Sequence, residues 1–173
     1  MRPYDFIIHK PDYYTFITSC GSEYHCYFFS FATAFSDYPD LANKVFGFNL
    51  ELKYQPQSII ALNKRIAETV IIILKNFLGK KANAVVYICD NSDGREKARF
   101  HKFTNWFRTY DDGNIIQLKG ISRAGNSNIL NAILIHKNNP NINRFIEAYE
   151  ILTGIYTKPD DDELQDILND DGW

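Results

Sequence analysis

Residues 84–107 read AVVYICDNSDGREKARFHKFTNWF, and this stretch decides the fold. Ala84 to Cys89 is apolar at every position and rich in β-branched and aromatic residues. A short apolar run without alternation is a strand covered on both faces. Asp90-Asn91-Ser92-Asp93-Gly94 follows, dense in side chains that bond their own backbone, and reads as a tight turn. Asp93 and Glu96 stand at D-x-x-E spacing, which predicts a helix with Asp93 as N-cap. Phe100, Phe103, Trp106, Phe107 and Tyr110 recur at helical spacing and give that helix its buried stripe. Arg95, Lys97, Arg99, His101, Lys102 and Arg108 occupy its other side.

Outward from this unit, the elements read in order. Tyr4–His9, Tyr13–Ser19 and Glu23–Phe31 are expected strands, joined by turns at Lys10-Pro11-Asp12 and Cys20-Gly21-Ser22. Lys44–Tyr54 alternates cleanly. Phe46, Phe48, Leu50, Leu52 and Tyr54 face a core, whereas Gly47, Asn49, Glu51 and Lys53 face water. A helix is expected from about Ile60 or Asn63 to Leu78, with Ile66, Val70, Ile73, Leu74 and Phe77 inward. Asn114–Ile121 and Asn128–Lys137 read as a hairpin around the loop Ser122–Ser127. Asn138-Asn139-Pro140 opens a last helix to about Tyr156. The order ββββ–α–β–α–ββ–α implies an α+β fold. Its sheet is largely antiparallel, with six to seven strands and three helices packed on one face. Residues 1–158 form a single domain in this reading, and 159–173 a flexible acidic tail.

The charges divide along the chain. Residues 160–171 hold seven acidic side chains and no Lys or Arg. The rest carries 19 basic against 14 acidic residues, a net of +5 beneath an overall −2. A basic body with an acidic tail is an asymmetry found in nucleic-acid binders. No run approaches the ~20 apolar residues that span a bilayer, so no membrane association is expected. Cys20, Cys26 and Cys89 are an odd set, and Cys89 sits in the buried strand. Free thiols in a reducing cytoplasm are the expectation.

The run Ile88-Cys89-Asp90-x-Ser92-Asp93-Gly94-Arg95, followed by Arg99, Phe103, Trp106 and Phe107, resembles an uncharacterised bacterial domain family of unknown function. The resemblance is strongest over residues 84–107 and extends more weakly to Arg65-Ile66-x-x-Thr69 and the aromatic N-terminal strands. It implies a bacterial, cytosolic, single-domain protein spanning most of residues 4–156. It implies no activity.

Chemistry must therefore be read from the residues. Arg95, Lys97 and Arg99 crowd the start of a helix, where the macrodipole disfavours cations by about 0.3–1 kcal/mol each. Free amides and two arginines there make an anion pocket, with Asp90 and Asp93 holding Arg95 and Arg99 in place. The same acids also suffice to neutralise the arginines in a purely structural cluster. Lys97, His101, Asn105 and Arg108 fall on one helix face, and the basic stripe continues through Lys119 and Arg123. His101 with Lys102 or Arg108 is the residue set of small metal-independent ribonucleases, including bacterial toxins. The spacing D-x-x-D-G fits neither a calcium loop nor a D-x-D-G-T phosphatase motif, and no Walker or Rossmann glycine pattern is present. No metal or other cofactor is called for. His25 and His136 read as core or edge residues. Tyr and Phe on the N-terminal strands would stack bases only where exposed.

Two functions follow as expectations. One is binding of a phosphate-bearing ligand, RNA above all, through Asp90, Asp93, Arg95 and Arg99, with His101, Lys102 and Arg108 assisting cleavage. The other is a non-enzymatic interaction module, immunity- or antitoxin-like, docking a protein partner through the acidic tail.

Overall fold

A computed structural model describes residues 2–56, 64–89, 94–124 and 127–155. The elements are β1 (Phe6–Lys10), β2 (Tyr13–Ile17), β3 (Glu23–Ser30), β4 (Val45–Tyr54), α1 (Lys64–Phe77), β5 (Ala84–Ile88), α2 (Glu96–Tyr110), β6 (Ile115–Ala124), β7 (Ser127–His136), α3 (Ile142–Leu152) and β8 (Gly154–Ile155). The α+β class and the order ββββ–α–β–α–ββ–α stand, with the two-residue β8 added. The last helix stops at Leu152 because the chain turns extended at Thr153 to pair with β6. The loop between β3 and β4 winds into two 3-10 turns, Ala32–Phe35 and Ala42–Lys44. The β6–β7 register continues to Ala124↔Ser127, so that hairpin turn is shorter than the loop expected over 122–127. The acidic residues of the tail lie outside the described residues.

Among the described residues, one sheet holds all the strands, in the order β1-β2-β3-β4-β5-β7-β6-β8. Every neighbouring pair is antiparallel except β4–β5, which α1 connects as a crossover. β5 is buried from Ala84 through Tyr87, as its continuous apolar run requires. Val85, Tyr87 and Cys89 meet α1 and α2 on the first face of the sheet. Ala84 and Val86 meet α3 on the second.

The first-face core centres on Val70, Ile71, Ile73 and Leu74 of α1, all fully buried. Phe77 lies parallel to Phe28 at 3.8 Å between ring centroids, and its ring meets Phe46 edge-on at 5.2 Å. On the second face, Phe145, Ala148 and Tyr149 of α3 cover Ile133 and Ile135. The helices therefore pack on both faces rather than one. The cause lies in β7, where Ala132, Ile133, Leu134 and Ile135 are apolar at consecutive positions and bare on neither side.

α3 covers only the β5–β7 end of the second face. Across β2–β4 that face carries Tyr13, Thr15, His25, Tyr27, Asn49, Glu51 and Lys53, and no helix among the described residues covers it.

Phe77→Ala removes a ring stacked between two others and is expected to cost about 3–5 kcal/mol. Tyr54→Ala, at a residue 60% exposed, should change stability by no more than about 0.5 kcal/mol. Urea unfolding of the two variants checks the contrast.

Candidate functional site

The expected site begins at the end of β5 and runs along α2. Gly94 has φ +72°, a left-handed conformation that a helical residue cannot adopt. Helix α2 therefore starts at Glu96 with Arg95 as its cap, and no side chain caps it. This corrects the expectation that Asp93 is the N-cap, since Gly94 would then have to be helical. Asp90 and Asp93 themselves lie outside the described residues, and so does their expected hold on Arg95 and Arg99.

Helical geometry sorts the cations of α2. Phe100, Phe103, Thr104 and Phe107 are buried and define the inward stripe. At about 100° per residue, Arg99, Lys102 and Trp106 fall on one flank, and Lys97, His101 and Arg108 on the other. The first flank faces α1, because it ends in Tyr110, whose hydroxyl donates to the Lys64 carbonyl at 3.4 Å. The second faces β6. His101 and Arg99 thus stand about 200° apart. The helix backbone sets the expected arginine clamp at Arg99 and the expected acid–base residue His101 on opposite flanks of α2. Lys102 likewise leaves His101 and Arg108. His101 and Lys102 are half-buried, whereas Arg108 is exposed.

On the α1 flank, Glu96 and Arg99 act on the Cys89 thiol at the end of β5. Burial pushes that thiol up to about 12, outweighing the opposite pull of Arg99. Cys89 is therefore protonated and inert as a nucleophile. Glu96 Oε2 is buried without a hydrogen-bond partner among the described residues.

On the β6 flank, a polar seam runs between helix and sheet. Gln117 Nε2 donates to Tyr87 Oη at 2.8 Å, and Tyr87 Oη lies 3.2 Å from Thr104 Oγ1. Lys119 follows Gln117 on the same face of β6, and Arg108 follows Thr104 by one turn of α2. Lys119 is held below the ordinary lysine value, first by desolvation and then by the Arg108 charge. Arg108 also donates to Asn105 Oδ1 at 3.2 Å. Of the stripe read as Lys97, His101, Asn105, Arg108, Lys119 and Arg123, Arg108 and Lys119 come within electrostatic reach of each other, and the Arg123 side chain lies outside the described residues; Arg99 falls on the opposite flank of α2.

Arg65 and Thr69 act structurally. Arg65 Nε donates to the Arg2 carbonyl at 2.7 Å, and its guanidinium lies 3.9 Å over the Tyr4 ring. Thr69 Oγ1 accepts from the Tyr4 amide at 2.9 Å. His136 Nδ1 accepts from the Asn138 amide at 3.0 Å and closes a turn.

Sequence reasoning missed two polar groupings. One is the Tyr87–Thr104–Gln117 chain. Its signal was Thr104, a hydroxyl between Phe103 and Phe107 on the inward stripe that needed a buried partner. The other is on β3, where Glu23, His25 and Tyr27 alternate onto the open sheet face. Their spacing of two already put three polar side chains on one side of a strand.

A family model matches residues 62–151, just over half of the 173-residue chain. The chain belongs to the family of unknown function DUF6169. The match begins just ahead of α1 and ends within α3, so it spans the candidate site and leaves out β1–β4. Neither the curated proteins nor the solved structures contain a match. Among the described residues, no helix is long and apolar enough to cross a membrane.

Two measurements follow. Only Cys20 is exposed, and hydrogen bonds from Thr18 and Ser22 lower its pKa, whereas burial pushes the Cys26 thiol up to about 12. A thiol reagent at pH 8 should therefore label one cysteine of the native protein and all three after denaturation. Lys119 has a lowered folded-state pKa, so its charged form is disfavoured in the native protein. Stability should rise with pH as the lysine is neutralised, up to its ordinary value of 10.5. Lys119→Gln should raise the melting temperature at pH 7, and that gain should vanish above this value.

Proposed function

We propose that the protein binds a phosphate-bearing ligand, with single-stranded RNA as the class, along the flank of α2 and β6. Lys97, His101, Arg108 and Lys119 form this surface. The observation that carries the reading is the approach of Arg108 and Lys119 from two different elements. Desolvation lowers the lysine most, and the arginine is close enough to add to that effect. Two cations drawn together from separate elements make a locus that an anion can bridge. A phosphodiester chain supplies such anions at regular intervals. Lys97 and His101 extend the same flank toward the helix start.

The reading is of binding, with phosphate as the recognised group. His101 falls on the same flank of α2 as these cations.

The test is fluorescence anisotropy of a labelled single-stranded RNA over a range of salt concentrations. Wild type should bind with a clear salt dependence. The double variant Arg108→Ala/Lys119→Ala should bind at least tenfold more weakly. Its slope of log affinity against log salt should shrink by about 1.4, the loss of two phosphate contacts on a single strand. Circular dichroism confirms that the variant is folded. An unchanged slope would show that the phosphates are bound elsewhere.

A further inference from the structure

The open second face of β2–β4 carries a second polar cluster, separate from α2 and on the other side of the sheet. His25 Nε2 lies 2.7 Å from Glu23 Oε1. His25 Nδ1 lies 2.9 Å from the Tyr13 hydroxyl and 3.0 Å from the Tyr27 hydroxyl. The two phenol rings are parallel, with centroids 4.9 Å apart, and His9 stacks on Tyr13 at 4.7 Å. In the neutral imidazole, Nε2–H donates to the Glu23 carboxylate, which leaves one lone pair at Nδ1. Two hydroxyls reach for that lone pair and only one O–H can fill it. The second O–H can turn to the neighbouring phenol oxygen, because the Tyr13 and Tyr27 hydroxyls also interact with each other. Desolvation and the nearby Tyr27 hold the Tyr13 phenol above its ordinary value, so it remains a donor.

Tyr27 also lines a cavity of about 440 Å³ beside this cluster. That volume lies in the range of small-molecule sites, roughly 300–1,000 Å³. Phe29, Phe31 and Ile88 are among its walls, Asn49 and Tyr27 bring polar side chains, and no lining residue is charged. Phe29 is 48% exposed and Ile88 47%, large apolar areas turned to solvent around an opening. Gly47 makes the wall possible, because a Cβ there would lie 2.3 Å from the Phe29 ring. Without it, the ring lies flat across the strand.

The geometry points to a binding site for a flat, uncharged heteroaromatic ring of the nucleobase class, held against Phe29 and Ile88 with its polar edge toward Asn49 and the Tyr27 hydroxyl. The lining mixes polar and apolar surface and carries no charged side chain, so it offers no counter-ion to a charged ligand. The Asn49 amide offers a donor and an acceptor in one plane, the pattern that a nucleobase edge presents in return. The parallel stack on Tyr13 and the 3.0 Å approach to His25 Nδ1 hold the Tyr27 ring in place, so the site is partly preorganised. This site goes beyond the phosphate reading and does not depend on it.

Adenosine is the probe, because it carries a nucleobase and no phosphate. Titrated into the full chain to millimolar concentration, it should cause saturable amide shifts in ¹H–¹⁵N spectra at Gly47, Asn49 and Ile88. Phe29→Ala, which removes a half-exposed ring, should weaken binding about tenfold. Tyr27→Phe should weaken it about fivefold. Gly47→Ala should displace Phe29 and act like its removal. If that variant fails to fold, Phe29→Ala alone decides. Absence of saturable shifts in wild type, shifts confined to α2, or undiminished affinity in Phe29→Ala would each overturn the proposal. Arg108→Ala/Lys119→Ala should bind adenosine like wild type, so failure here and failure of the RNA reading are told apart.

Discussion

The parallel pairing of β4 with β5 joins the two halves of this molecule. Four residue pairs, from Val45↔Ala84 to Phe48↔Tyr87, stitch an antiparallel meander to an antiparallel hairpin. Parallel neighbours cannot be joined by a tight turn, so the chain must cross over a face of the sheet, and α1 is that crossing. A strand bonded on both edges and apolar on both sides must also be covered on both sides. This one requirement places α1 and α2 on the first face and α3 on the second.

The position of α2 follows from the same constraint. Phe103 lies against Tyr87 of β5 at 4.3 Å and near Phe48 of β4 at 5.9 Å, across the parallel junction. Lys75, in the last turn of α1, donates to the Tyr110 carbonyl at 2.6 Å and lies 3.7 Å from Asp112. A cation thus meets the negative end of α2 from a neighbouring helix. Held at its middle and its end, α2 cannot rotate, and its flanks are committed. One looks at α1, and the other overlooks β6.

Much of the fold was legible because it is written in local periodicity. The alternation of Phe46, Phe48, Leu50 and Leu52, the stripe of α1 and the unbroken run of β5 each require only their own residues. The side of the sheet taken by α3 was not legible, because it depends on β7 lying between β5 and β6, a non-consecutive order that no local pattern encodes. The site was legible in part. The basic stripe was visible, but the turn chemistry of Asp93 misled. A left-handed Gly94 overrides the capping pattern and starts the helix later. His25 was passed over because a single histidine on a strand carries no signal until register brings Tyr13 across from Tyr27.

The family match starts beyond β4, yet β4 supplies one edge of β5. A chain reduced to the matched residues would leave Ala84–Ile88 with a bare row of amides and carbonyls. That segment is AVVYI, with no charge, no proline and strong β propensity. Such an edge is a template for other chains to add to, and such a segment is prone to cross-β stacking. The N-terminal meander therefore guards against aggregation as well as walling the core. The smallest piece that stays soluble is set by where β5 finds its second partner, not by where the family resemblance begins.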